Sequence, residues 1–393
     1  NMIEDSLGDR LFAEIRTVED FYLQVSMLAG ERMQKKENTL IFIDEIQAYP
    51  HLLTLLKFLS QDDKFTYVAS GSLLGVTLAK TTSIPIGSIR KVRMFPLDFE
   101  EFLFANGMNE TVISAMRQKF DKLESLEESM HDKMMDLFRK YLLVGGMPDA
   151  VNAYVQDKNI RSVREIQSEI HEYYAADASK YEADRRLTIR RIYDMIPSNM
   201  ENKKKRIVVQ NIENKRGKTF RDYQEEFEYL INAGVVSSVQ AISNPVFPLI
   251  ESAGKNLLKL YLNDVGILTG ILYGNNIRAI LDDQPSVNLG SVYETVVANE
   301  LKAHGYKLFY YDNRSKGEVD YLIDDYNSLS TVPIEVKSGK DYSIHSALNH
   351  FVNNEDYHIK KAFVLSNERT VQQKEKILYI PIYYIMFFHS DAG

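Results

Sequence analysis

Residues 39–46 read Thr39-Leu40-Ile41-Phe42-Ile43-Asp44-Glu45-Ile46, a β-branched and aromatic run of strand length that ends in two adjacent acids. A strand apolar on both faces belongs in the interior of a parallel sheet. Ligands of such sheets sit beyond the carboxyl ends of the strands, which is where Asp44 and Glu45 fall. Pro50 opens a helix carrying Leu52, Leu53, Leu56 and Leu59, and residues 65–69 form a second short strand ending in Ser70, Gly71 and Ser72. This strand–helix–strand unit sets hydroxyl side chains at the end of the neighbouring strand. Ser70 or Ser72 then reaches the same ligand as the acids; a Ser-Gly turn without a ligand is the plain alternative.

Outward from this unit, the chain of 393 residues exceeds one core and divides into several domains. Its composition, 45% hydrophobic and 26% charged, is that of a folded protein rather than a disordered one. It contains no cysteine, which excludes a disulfide scaffold, a thiolate nucleophile and a cysteine-ligated metal. The first residues carry acids and lack the basic and apolar regions of a signal peptide. The longest apolar run, Ile377 to Phe388, is broken by Pro381 and falls short of the roughly 18 residues that span a bilayer. We therefore expect a cytoplasmic protein without a membrane partner. A net charge of -8 argues against a surface that is basic all over. A local basic run, Lys203, Lys204, Lys205, Arg206, Lys215, Arg216, Lys218 and Arg221, is the expected DNA-contacting patch, unless it only solvates a loop.

Residues 108–200 have helical apolar spacing, broken by Gly145, Gly146, Pro148 and Pro197; the glycine pair ends one helix and Pro148 starts the next. Thr219 and Asp222 form a capping pair before a helix with Phe220, Tyr223, Phe227, Leu230 and Ile231 on one face, followed by a strand over 235–242. Basic residues, helix, glycine stop and strand together resemble a winged helix, which reads DNA or packs the flanking domains together.

The C-terminal third holds the richest chemistry. A helix over 290–304 carries Glu294, and strands are expected over 307–311, 317–323 and 332–337. Alternation along the last strand puts Glu335 and Lys337 on one face, and Asp320 on its neighbour reaches the same face. Two carboxylates, Asp320 and Glu335, suit a hard divalent cation, Mg²⁺ or Mn²⁺. A lysine beside them orients a hydroxide or steadies charge on phosphorus.

LIFIDEIQAYP (40–50), YVASGSLLG (67–75) and SIPIGSIRKVRMFPLDFEEFL (83–103) together resemble AAA-type P-loop ATPases of bacteria and archaea that carry a C-terminal domain of unknown function with a nuclease-like fold. The resemblance implies that Asp44 and Glu45 are the Walker B acids, Asp44 holding Mg²⁺ and Glu45 polarising the attacking water. It implies that Ser70 or Ser72 is the sensor, and that Pro96, Leu97, Phe99, Glu101, Phe102 and Leu103 close the ATPase core. Arg90 stands where members carry a phosphate-sensing arginine, displaced in this chain, and pairs with surface acids otherwise. GEVDYLI (317–323) and PIEVKSGK (333–340) resemble the PD-(D/E)XK nuclease superfamily. That implies a catalytic set of Asp320, Glu335 and Lys337 with Glu294 from the helix, although Val319 replaces the proline; the alternative is a relic whose ion pairs serve packing.

No G-x-x-x-x-G-K-[ST] loop occurs in the chain. We expect that loop to precede residue 1 in a full-length parent that uses Mg²⁺ and ATP, with a degenerate ATPase as the alternative. The fragment itself is then expected to bind ATP feebly. The expected architecture is an α/β multidomain chain: a P-loop parallel-sheet core without Walker A (1–107), a helical domain (108–200), a winged-helix-like segment (201–254) and a restriction-endonuclease-like α/β domain (255–393). The expected function is an ATPase coupled to a nuclease-like, DNA-acting domain, in a chain that also forms homo-oligomers. A DNA-binding regulator and a catalytically silent interaction scaffold are the other readings.

Overall fold

Alternating burial along residues 40–43 sends Ile41 and Ile43 inward, where they meet Phe12, Phe21, Leu52, Leu56 and Leu59 in one apolar cluster. The computed structural model describes residues 12–71, 87, 89–177, 185–202, 205–213, 217–253, 257–282, 287, 289–313, 317–339 and 346–390. Contacts divide the chain into two units, one of residues 1–94 with 232–234, the other of 95–231 with 235–393.

In the first unit, helix α1 (Val18–Ala29) starts from a capping box in which Thr17 and Asp20 satisfy each other's backbone amides. Strand β1 (Leu40–Ile43), helix α2 (Pro50–Asp62) and strand β2 (Thr66–Ala69) follow, and β1 pairs with β2 in parallel. Pro50 opens α2 at its first turn, where a missing amide costs nothing, and its leucines are buried. The continuous apolar run led us to expect burial on both faces of β1. Among the described residues only one face is covered, and Leu40 and Phe42 are 58% and 57% exposed.

The second unit begins with helices α3 (Phe99–Ala105), α4 (Glu110–Asp121), α5 (Glu128–Val144), α6 (Pro148–Asp157), α7 (Ile160–Asp177) and α8 (Arg186–Glu201). Pro197, read as a breaker, lies inside α8, one turn before its end at Glu201. Gly145 and Gly146 turn the chain between α5 and α6. A Cβ on Gly145 would lie 2.2 Å from Asp264 Oδ1, and one on Gly146 would lie 1.9 Å from Leu97 O. The turn is glycine because two other segments press on it.

Next come α9 (Gln210–Glu213), α10 (Gln224–Asn232), β3 (Val236–Ile242), β4 (Leu258–Leu262), α11 (Val265–Tyr273), α12 (Arg278–Leu281) and α13 (Gly290–Ala303). The chain ends with β5 (Phe309–Asn313), β6 (Gly317–Asp325), β7 (Ser330–Val336), α14 (Ser346–Val352), β8 (Ala362–Ser366), β9 (Gln372–Lys374) and β10 (Ile377–Pro381). The described strands of this unit form one eight-stranded mixed sheet in the order β4-β3-β5-β6-β7-β8-β10-β9. Helix α14 covers part of it, with Leu348, Phe351 and Val352 packed on Phe309, Tyr311, Val319 and Leu322. Helix α13 is buried on nearly all sides, from Ser291 to Leu301.

Two segments pack beyond the domains to which their sequence assigns them. Strand β3, read as part of a winged-helix segment, is paired on both sides within the large sheet, antiparallel to β4 and parallel to β5. The segment from Pro96 to Leu103, read as closing the first domain at 107, lies in the second unit. There Glu300 Oε1 accepts from Phe99 N at 2.9 Å and from the Tyr141 hydroxyl at 3.0 Å, and His304 Nε2 meets Asp98 Oδ2 at 3.2 Å. No described helix is long and apolar enough to cross a membrane.

Candidate carboxylate sites

At the end of β1 the parallel ladder continues past the strands, with Ser70 N donating to Ile43 O at 2.9 Å and Ile46 N donating to Ser70 O at 3.0 Å. That pairing sets Ser70 beside Asp44, and its hydroxyl donates to Asp44 Oδ1 at 2.5 Å. The same oxygen accepts from Glu45 N at 3.1 Å. Glu45 takes a left-handed backbone conformation, φ 56°, uncommon for a residue with a side chain, and its carboxylate accepts from the Gln47 amide. Asp44 and Ser70 thus offer adjacent hard oxygen donors, the set that Mg²⁺ takes. Ser72 lies outside the described residues, and Arg90 is exposed.

The C-terminal residues meet in one open cleft of about 360 Å³ lined by Lys205, Gly290, Glu294, Asp320, Glu335, Lys337 and their neighbours. Helix α13 brings Glu294, β6 brings Asp320, and the end of β7 brings Glu335 and Lys337. Antiparallel pairing of Tyr321 with Ile334 puts Asp320 opposite Glu335 one step on. There Asp320 Oδ2 accepts from Val336 N at 2.9 Å, a side chain standing in for the next ladder bond. A register shift between β5 and β6 sets Asp320 and Tyr321 together against Tyr310, a local bulge of the kind that re-aims a side chain. Lys337 Nζ contacts Glu335 Oε1 at 2.8 Å, while Glu335 Oε2 is buried and, among the described residues, has no side-chain partner. An orphaned carboxylate oxygen beside a second carboxylate fits a divalent cation.

Glu294 is engaged differently. Its Oε1 is ion-paired with the Lys205 ammonium, and its Oε2 accepts from the Tyr261 hydroxyl at 3.4 Å. Behind the cleft, Lys259 is fully buried, with its ammonium 2.6 Å from Glu318 Oε1 and 4.7 Å from the centre of the Tyr310 ring. Among the described residues no three His, Asp or Glu side chains are grouped to hold a metal ion.

Burial, followed by the neighbouring Glu335 and Glu294 carboxylates, holds Asp320 well above the usual carboxylate range. Burial also raises Glu335 against the opposing pull of Lys337. For Lys337 burial disfavours the ammonium, but Glu335 outweighs it and the group stays above its ordinary value. Burial likewise opposes charge on Lys259, yet Tyr261, Glu294 and Glu318 hold it well above the usual lysine range.

Comparison with known proteins now bears on the first of these sites. Residues 6–103 match an AAA domain. The match supports an AAA-type ATPase at the N-terminal end of the chain, a class that uses ATP and Mg²⁺. It runs past Met94 to Leu103, into the second unit. Residues 135–276 match one domain of unknown function (DUF8612) and residues 289–385 another (DUF4143). No curated protein and no solved structure matches the chain.

Sequence reasoning named Asp44, Glu45, Ser70, Glu294, Asp320, Glu335 and Lys337, and each lies at one of the two sites. It missed Lys259 and Tyr261, and it placed Lys205 only in the basic run. Of that run, Lys205 and Arg206 are turned onto Glu294 and Asp312, and Lys218 pairs with Asp222. Lys203, Lys204, Lys215 and Arg216 lie outside the described residues, and Arg221 is exposed.

Proposed function

We propose that this is an ATPase-class protein whose C-terminal cleft acts on nucleic-acid phosphodiesters with a divalent cation. The observation that supports the reading best is the convergence of Glu294, Asp320, Glu335 and Lys337, drawn from one helix and two paired strands, on a single open cleft. Asp320 and Glu335 would hold the cation. When bound, it supplies charge neutralisation at phosphorus and acidifies a water. Lys337, fixed by Glu335, carries positive charge at the cleft and steadies charge developing on a phosphoryl oxygen. In the AAA domain Asp44, oriented by Ser70, would hold the Mg²⁺ of ATP and Glu45 would direct the attacking water.

Cleavage of single-stranded, duplex and branched DNA with Mg²⁺ or Mn²⁺ tests the cleft. The intact chain should cut at least one substrate, and Glu335→Ala and Lys337→Ala should each reduce the rate by about 100-fold or more. Cleavage that survives both substitutions sinks the assignment. The ion pair that ties up Glu294 with Lys205 favours a second reading, a cleft that holds nucleic acid without cutting it. Substitution-sensitive binding without cleavage would select that reading.

A further inference from the structure

The cleft contains its own cation. Lys205 arrives from the segment after α8 and places its ammonium on Glu294 Oε1; its side chain is 16% exposed and that of Glu294 7%. The segment is tied down on both sides. Before it, Ser291 Oγ on α13 donates to Glu201 Oε1 at 2.5 Å and Lys205 N donates to Asn202 O at 3.1 Å. After it, Arg206 pairs with Asp312 at 3.3 Å and Ile207 N donates to Leu258 O at 3.1 Å. Lys205 itself has φ 46°, a left-handed conformation that a lysine keeps only where its surroundings dictate it. The contact is therefore a held position rather than one pose of a wandering surface lysine.

Its effect on the acids is electrostatic. Glu294, Asp320 and Glu335 face a space into which Lys205 and Lys337 each bring one positive charge. A divalent ion seated against Asp320 and Glu335 would meet Lys205 as a like charge and would find Glu294 already neutralised. We propose that Lys205 is a built-in competitor of the divalent cation, occupying Glu294 so that the cleft takes a metal only weakly until that lysine is displaced. This rests on the cation-site reading of Asp320 and Glu335 given above. The surroundings name the displacing chemistry. A phosphate oxygen that drew the Lys205 ammonium to itself would release Glu294 to the metal, so metal and a phosphodiester would bind with positive cooperativity.

The test is Mn²⁺ binding to the intact chain by titration calorimetry, which does not depend on cleavage. Lys205→Met should bind Mn²⁺ about tenfold or more tightly than the unsubstituted protein, and adding Glu335→Ala should erase that gain. Lys205→Arg, which keeps the charge, should bind no better than the unsubstituted protein. Should Lys205→Met leave Glu294 too poorly compensated to fold, Lys205→Gln keeps a donor for that carboxylate without the charge and should show the same gain. As an independent readout, Mn²⁺ should raise the melting temperature of the uncharged variants more than that of the unsubstituted protein. Equal Mn²⁺ affinity with and without Lys205, lost in Glu335→Ala, overturns the competitor role and leaves the cation site standing. No saturable binding in any variant overturns both.

Discussion

Asp44 is answered by a serine hydroxyl and a backbone amide from its own small unit, whereas Glu294, Asp320 and Glu335 are surrounded by the ammonium groups of Lys205, Lys259 and Lys337. Among the described residues the first arrangement orients a half-buried carboxylate without setting a cation beside it. The second cancels most of its charge internally, which is the cost of sinking several acids into a sheet. A carboxylate cluster in a sequence therefore says little about readiness for a metal until the cations that fold against it are known.

A third case, Glu300, sharpens the contrast because it is fully buried and its ion-pair contact is His304 at 4.0 Å. Burial, then repulsion from Asp98, pushes its carboxyl from 4.5 up to about 8. The folded protein thus keeps a proton there that the unfolded chain gives up. That contribution is complete below about pH 4.5 and is lost as the pH rises towards 8. His304, held above its ordinary value because Asp98 and Glu300 outweigh its burial, acts in the same direction. His389, lowered by burial and by His304, acts in the opposite one. The largest expected effect is that Glu300→Gln removes on the order of 4 kcal/mol from the fall in unfolding free energy between pH 5 and pH 8, a fall to which the raised Asp320 and Glu335 carboxyls also contribute. Chemical denaturation across this range measures it; an unchanged slope in the variant would show that Glu300 is ionised throughout.

Lys259→Met breaks the compensated side of the comparison. It leaves Glu318 without its ion-pair partner and removes one of the buried positive charges beside Glu294 and Asp320, and should lower stability by about 3 kcal/mol at neutral pH. A loss below about 1 kcal/mol would mean that the acids shed their charge by protonation instead. The smallest effect belongs to the open side. Ser70→Ala removes one hydrogen bond from a half-buried carboxylate that water can reach, so stability should change by no more than about 1 kcal/mol. A large loss there would show that Asp44 relies on its hydroxyl as heavily as the C-terminal acids rely on lysine.

What could be read in advance was what depends on nearby residues. The acids after residue 43 follow from one apolar strand, and Ser70 follows because the next strand is parallel and in register. Glu335 on β7 and Lys337 just past its end are two apart, and Asp320 sits across a short hairpin turn, so alternation and register bring them together. Lys205 reaches Glu294 over 89 positions in the chain, and Lys259 reaches the acids only through β4, at the edge of the described sheet and separated from β5 and β6 by β3. In sequence a lysine run looks the same whether it solvates a loop or plugs a cleft. Strand ends shifted for a related reason: β5 was read over 307–311 but pairs over 309–313, where its partner β6 lies.

The grip of Glu300 on Leu97–Phe99 also bears on how this protein can be taken apart. Glu300 Oε1 accepts from Phe99 N and shares the single proton of the Tyr141 hydroxyl with Leu97 O, which lies 2.8 Å from that hydroxyl. A cut after residue 107 would strip a buried carboxyl of its backbone donor and expose Phe99 and Phe102, both fully buried. A cut before Phe95 keeps that anchor with the fragment it stabilises. The segment that ends the match to one module is thus an anchor of the next, and a fragment that begins at residue 108 leaves that anchor behind.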